Sequence, residues 1–230
     1  MDPVLLVERF LETYFPAAEI AVVAGSTAAG NRTATSDIDL LVIGPAEMFE
    51  ADRDALATFI EFGGEGFEVF AYSPDAFDRW ARHDLADYRP VLLDMLANGI
   101  AVRSSPDLPD LRTRWTDALN RGPVIDEHQL ALRRYVLTDV LDDLADATDA
   151  LERRTLADEA FRHLAELLLL QHRRWLGSGK WLARRLRQWD AERCNALAAP
   201  LLADDVPRFL EIAQGELSSL GGRVQAGFVR

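Results

Sequence analysis

Ala24-Gly25-Ser26, then ten residues, then Asp37-Ile38-Asp39-Leu40-Leu41-Val42 is the stretch from which the fold of this 230-residue chain can be read. Ile20 to Ala24 is a short apolar run stopped by Gly25, and Ile38 to Ile43 is a second run closed by Gly44-Pro45, so both read as strands. Residues two apart on a strand point the same way. Asp37 and Asp39 therefore project from one face, while Ile38, Leu40 and Val42 face a core. Two carboxylates held side by side repel each other unless a divalent cation sits between them. Hard oxygen donors of this kind suit magnesium bound together with substrate phosphates. Gly25 allows the backbone a close approach at the strand end, and Ser26 offers a hydroxyl and an amide at a helix start, a cradle for phosphate.

Outward from this stretch, short apolar runs alternate with helical spacing, which predicts an α/β domain. Val4 to Tyr14 reads as an amphipathic helix and Ala46 to Ile60 as a second. The glycines at 63, 64 and 66 make a turn from which Phe67 to Tyr72 emerges as a third strand. Leu92 to Leu96 is helical, and Ile100 to Arg103 is a short final strand. Ser104 to Pro109 reads as a linker. Beyond it only helices are expected: one long helix over 127–152, an apolar one over 156–175, a break at Gly177-Ser178-Gly179, a basic helix to about Ala198, and one over 206–220. The predicted organisation is a catalytic α/β domain over 1–106 and a helical bundle over 107–230.

Composition narrows the functions open to such a chain. The formal charge is -13, and residues 1–106 hold 18 acids against 7 bases while residues 107–230 hold 20 against 18. An acidic chain is a poor partner for a nucleic-acid backbone, so DNA and RNA are not expected as substrates. No apolar run approaches a bilayer span, and Asp2 and Glu8 stand where a signal peptide would be basic, so a soluble cytoplasmic protein without membrane contact is expected. Cys194 is the one cysteine, which excludes an internal disulfide, and no Cys/His grouping has zinc-ligand spacing. His83, His128, His163 and His172 form no recognisable set.

The Gly25-Ser26 pair followed at this distance by Asp37-x-Asp39 on a strand resembles the signature of the nucleotidyltransferase superfamily, the polymerase-beta-like fold. The likeness covers roughly residues 18 to 72. It implies a mixed sheet in the first domain and a third carboxylate on a neighbouring strand. Glu68 is the best candidate for that carboxylate, because Phe67, Val69 and Ala71 alternate with it; Glu61, Glu65 and Asp75 fall in turns or at element ends. The chain departs from many small family members in lacking a basic residue directly after Gly-Ser, reading Thr27-Ala28-Ala29-Gly30-Asn31-Arg32 instead. Triphosphate charge is then left to metal, to Arg32, or to the helical domain, where Arg173 to Arg193 holds seven bases. Lys180 is the only lysine in the chain, and a compact ammonium there suits a phosphate.

An α/β half followed by a helical half is similar in layout to the antibiotic nucleotidyltransferases that act on aminoglycosides or lincosamides. That likeness implies a magnesium-dependent adenylyltransferase, with two ions and ATP. A nucleoside monophosphate would pass to a hydroxyl of a small acceptor, and pyrophosphate would leave. Asp37, Asp39 and Glu68 would be the metal ligands and catalytic residues, with Gly25, Ser26, Arg32 and Lys180 on the nucleotide. A monomer or homodimer is expected. The alternative is an antitoxin-like or inactive member that modifies or binds a protein partner, against which the long helical half counts. Asp139, Asp142, Asp143, Asp146 and Asp149 form a polar stripe that could attract a cationic acceptor or simply face solvent. Trp175 and Trp189 are expected to pack within the bundle.

Overall fold

The computed structural model describes residues 3–50 and 52–229, beginning with the amphipathic helix α1 (Pro3–Tyr14). Leu6, Val7, Phe10 and Leu11 recur on one side of α1 and are buried, and the Phe10 ring stacks on that of Phe67 with 4.1 Å between centres. The chain continues through β1 (Ile20–Val23), the one-turn helix α2 (Gly25–Ala28), β2 (Ile38–Ile43), β3 (Ala55–Phe62), β4 (Glu65–Tyr72), α3 (Pro74–Ala86), α4 (Val91–Asn98), β5 (Ile100–Arg103) and α5 (Leu108–Arg121). Among the described residues the strands form one five-stranded sheet in the order β3-β4-β2-β1-β5. The sheet is mixed: β2 and β4 run parallel, and the other neighbours are antiparallel.

Side-chain alternation gives the sheet two different faces. Ile38, Leu40 and Val42 of β2 join Phe67, Val69 and Ala71 of β4 in a core closed by α1. Leu41, Ile43 and Tyr72 point the other way and are covered, with Ile20 and Val22, by α3, α4 and α5. That second cover ends before the N-terminal ends of β2 and β4. Asp39 and Glu68 lie on this same face, past the edge of the buried patch.

Residues 46–60 correct the sequence expectation. They are not one helix: Ala46–Met48 makes a single 3-10 turn, and β3 follows from Ala55. The glycine turn explains the outcome, since Gly63 and Gly64 at φ +62° and +86° form a two-residue hairpin that zips Phe62 against Glu65 and carries the pairing back to Ala55. Helical composition is thus overridden by cross-strand pairing. The contact boundary also lies at Arg121/Gly122 instead of 106/107. Leu108 and Trp115 of α5 are buried in the core with Phe77, and Arg112 donates to the carbonyls of Leu96 and Gly99 at 3.0 and 2.8 Å, so α5 is fastened to the first unit.

The second unit, Gly122–Arg230, contains only helices among its described residues: α6 (Glu127–Asp146), α7 (Ala150–Gln171), α8 (Lys180–Trp189), α9 (Ala191–Leu202) and α10 (Val206–Ser219). The helix expected over 127–152 is broken at Ala147, because the Asp149 carboxylate caps a new helix by accepting from the amides of Leu151 and Glu152. Asp190 divides the basic helix in the same way, ending α8 and capping α9 through the Arg193 amide at 2.9 Å. Leu164, Leu167, Leu168 and Leu170 make α7 apolar nearly all round, and its buried Glu166 is compensated by Arg133 at 2.9 Å. Trp175 and Trp189 are half-buried, as a place in the bundle requires. Among the described residues no helix is long and apolar enough to cross a membrane.

Asp84 of α3 accepts a hydrogen bond from the Leu92 amide at 3.0 Å and so caps α4 from a neighbouring helix. Burial raises its pKa above the usual carboxylate range, with the Leu92 amide opposing the shift only in part. The folded state therefore favours the protonated acid. The resulting penalty is absent below the unfolded carboxylate pKa and grows as pH rises through the folded value. Asp84→Asn, which keeps an acceptor and removes the charge, is expected to gain a few tenths of a kcal/mol at pH 7 after solvent screening. That gain should vanish near pH 4. Asp84→Ala, which orphans the amide, is expected to lose about 1 kcal/mol. Urea unfolding of both variants across pH 4 to 8 measures this.

Candidate active site

Parallel pairing of β2 with β4 sets Asp39 directly opposite Glu68. Paired residues on adjacent strands share a face, so both carboxylates stand on the open end of the face described above. Asp37 sits one pleat earlier, and Asp37 and Asp39 are both partly exposed. Glu68 is exposed overall, yet partial burial of its carboxyl, the negative charges of Asp39 and Asp37, and a hydrogen bond with the Asp39 side chain raise its pKa. The like charges are what the strand register itself brings about. Of the carboxylates weighed from the sequence, Glu68 is the one the fold sets against Asp39. Glu65 is turned to the opposite face and Asp75 lies in the first turn of α3.

Gly25 borders this group. Its φ is +61°, a backbone conformation that L side chains rarely adopt, and a Cβ built on it would overlap the Asp39 carboxylate. The Ala24 amide donates to the Asp39 carbonyl at 2.8 Å, which carries the β1–β2 pairing up to the glycine. From there α2 turns away, with Ser26 half-buried in its first turn. Gly25, Ser26, Asp39 and Glu68 are thereby gathered where β1 ends and β2 and β4 begin.

Arg32 takes another place. Its guanidinium donates to Glu65 at 2.6 Å and to the Ser36 carbonyl at 2.8 Å, and Ser36 in turn accepts from the Thr33 amide at 2.9 Å. The residue thus ties the loop between α2 and β2 to the start of β4. Lys180 is exposed as the first residue of α8, following Gly179 at φ +51°. Of the aspartate stripe, Asp149 is a helix cap and Asp142 pairs with Arg223, so these two have structural duties.

Asp37, Asp39 and Glu68 have the donor chemistry of a magnesium site: hard anionic oxygens in a shared negative field. Among the described residues no three Asp, Glu, His or Cys side chains close into a metal cage by themselves. An ion held here would need further oxygens from a ligand. Sequence reading missed the exposed aromatic next to this group, Phe59 of β3, whose register partner is Glu68. The signal was present in Leu56, Thr58, Ile60 and Phe62, which alternate up to Gly63-Gly64.

Comparison with known proteins gives one family. The family model for the nucleotidyltransferase domain matches residues 6–74. No curated protein matches the sequence. Among solved structures, a nucleotidyltransferase-like protein from Exiguobacterium sibiricum 255-15 is similar, at 15% identity and a TM-score of 0.47, over 94% of this chain and 73% of that one. This likeness is too distant to bear on function. The matched residues 6–74 run from α1 to the end of β4 and include all three clustered carboxylates.

Gly25→Ala tests the geometry of the group. Positive φ and the overlap with Asp39 act together, so a loss of about 1–3 kcal/mol in stability is expected. Gly30→Ala, at φ +67° with open space around it, carries the conformational cost without the clash and should lose less. Denaturant midpoints of the two variants make the comparison.

Proposed function

With residues 6–74 a nucleotidyltransferase domain, we propose that the chain transfers a nucleoside monophosphate from a nucleoside triphosphate, ATP in the first instance, to a hydroxyl of a small acceptor. The observation that carries this reading is the register pairing of Asp39 with Glu68 beside Gly25. Asp37, Asp39 and Glu68 would hold magnesium, which supplies neutralising positive charge to the phosphates when bound. Gly25 and Ser26 approach the phosphates through backbone and hydroxyl.

Glu68 takes the proton of the acceptor hydroxyl. Its register position opposite Asp39, beside Gly25 and Ser26, sets it next to the phosphate cradle. The acceptor oxygen bonds to the α-phosphorus, the bond from that phosphorus to the bridging oxygen breaks, and pyrophosphate leaves with the electron pair. Arg32 contributes by fixing the loop ahead of Asp37, and it would contact a phosphate only by giving up Glu65. The acceptor class we favour is hydroxylated and cationic, of the aminoglycoside kind: magnesium offsets the charge of the triphosphate, and the acids left over in residues 1–106 attract positive charge. We place the activity in the cytoplasm, in a monomer or homodimer that does not use nucleic acid.

The test is a screen of nucleoside triphosphates with magnesium against hydroxylated small molecules, following pyrophosphate release. Asp37→Asn and Asp39→Asn are each expected to abolish release while leaving the circular dichroism spectrum unchanged. Near-native rates in both variants at saturating magnesium would remove the proposal.

Lys180, the only lysine of a chain that otherwise uses arginine, is proposed on its own chemistry as a phosphate-binding ammonium. Lys180→Ala is expected to lower kcat/KM for the nucleotide by at least about tenfold, roughly 1.4 kcal/mol, with Lys180→Arg restoring only part of it. An unchanged kcat/KM in Lys180→Ala would return the residue to a solvated surface position.

A further inference from the structure

Phe59, Glu68 and Asp39 stand in one row across β3, β4 and β2, each opposite the next in register, and the row continues to Ala24 and Gly25. Adjacent strands lie about 4.8 Å apart, so Phe59 is two strand spacings, about 10 Å, from Asp39. Phe59 is 58% exposed, and its ring lies over Gly66, where a Cβ would overlap it. Ala57 and Glu61 of β3 are exposed on the same face, whereas Leu56, Ile60 and Phe62 pack into the opposite core. The face beside Glu68 is thus an open shelf: one large aromatic ring bordered by Glu61 and Glu68.

We propose that this shelf is the acceptor platform: Phe59 stacks the apolar face of a hydroxylated ring whose ammonium groups are met by Glu61 and the neighbouring carboxylates. The proposal rests on the nucleotidyltransferase reading, which assigns Glu68 to the acceptor hydroxyl. In the row, Gly25 and Ser26 flank Asp39 on one side and Phe59 flanks Glu68 on the other. An acceptor with its hydroxyl at Glu68 and the phosphates on the glycine side therefore extends over Phe59. The chemistry of the shelf sets the class. An aromatic face attracts cations and the C–H face of a ring, and the carboxylates select positive charge. Arg32, the cation at the hairpin end, is already engaged by Glu65, so an anionic acceptor finds no complement there.

The experiment is titration calorimetry on the full chain with magnesium and a non-hydrolysable ATP analogue. Three probes are used: the diaminocyclitol 2-deoxystreptamine, the neutral cyclitol myo-inositol and the acyclic cation spermidine. The diaminocyclitol is expected to bind at least about tenfold more tightly than either of the others, as both ring and charge are read. Phe59→Ala should weaken it about five- to tenfold, Phe59→Trp should restore it, and the ATP analogue should bind all variants within about twofold. Phe59→Leu keeps apolar cover over Gly66 without a flat face and should behave as the alanine variant does.

The proposal is overturned if no probe binds, if spermidine matches the diaminocyclitol, or if Phe59→Ala weakens the nucleotide analogue. It is equally overturned if Phe59→Ala lowers only the melting temperature, since Phe59 would then merely cover Gly66, or if it dissolves a dimer, since a second copy would then occupy the shelf. Pyrophosphate release measured in parallel separates this from the underlying reading. Phe59-dependent binding without turnover sinks catalysis and keeps the shelf; turnover with Phe59-independent binding does the reverse.

Discussion

Parallel pairing between β2 and β4 is the constraint from which the rest of the first unit follows. Parallel neighbours need a connection long enough to return to the same end of the sheet, and this chain makes that return through residues 44–64, spending part of the length on β3. The register then places Asp39 against Glu68, a juxtaposition that sequence distance alone does not suggest. A shift of one residue would turn Glu68 into the core and bring Phe67 or Val69 out to Asp39. The buried Phe67, stacked on Phe10, forbids that shift. The aromatic core on one face therefore fixes the carboxylates on the other.

The two faces divide labour in a second way. Helix cover over Leu41, Ile43 and Tyr72 supplies hydrophobic stability, and the same face runs out past that buried cluster into the carboxylates of Asp39 and Glu68. Like charges at a strand end oppose folding unless solvent or a cation screens them. The fold leaves Asp37 and Asp39 partly exposed and Glu68 exposed, which keeps this cost small, and the crowding shows in the raised proton affinity of Glu68.

The sequence made the motif legible because its chemistry is local: a glycine at a strand end, then two acids two residues apart on the next apolar run. Ile38–Ile43, Ile100–Arg103 and the helix over 206–219 lie close to where periodicity puts them. The misreadings fall where distant contacts decide. Ala46 to Ile60 has the alanine, glutamate and methionine content of a helix, and only pairing with β4 makes its second half a strand. The breaks at Ala147 and Asp190 were hidden because Asp149 and Asp190 look like surface acids until their carboxylates are seen holding backbone amides. Glu68 was reachable by alternation, but its partner was not, since register belongs to the sheet and not to the strand. What Arg32 does was equally invisible, because Glu65 lies thirty-three positions away.

Gly25 contributes no charge, no proton and no side-chain contact, yet it is the position with the fewest alternatives. An acid such as Asp37, partly exposed, can become an amide of the same shape without disturbing the backbone. Replacing the glycine strikes backbone conformation and carboxylate placement together. Were Asp39 itself lost, the steric half of that requirement would lapse and the conformational half would stay. A lineage drifting away from catalysis would thus shed its acids first and its glycine last. In such descendants the glycine would be the durable fossil of the site, outlasting the carboxylates around which its backbone is shaped.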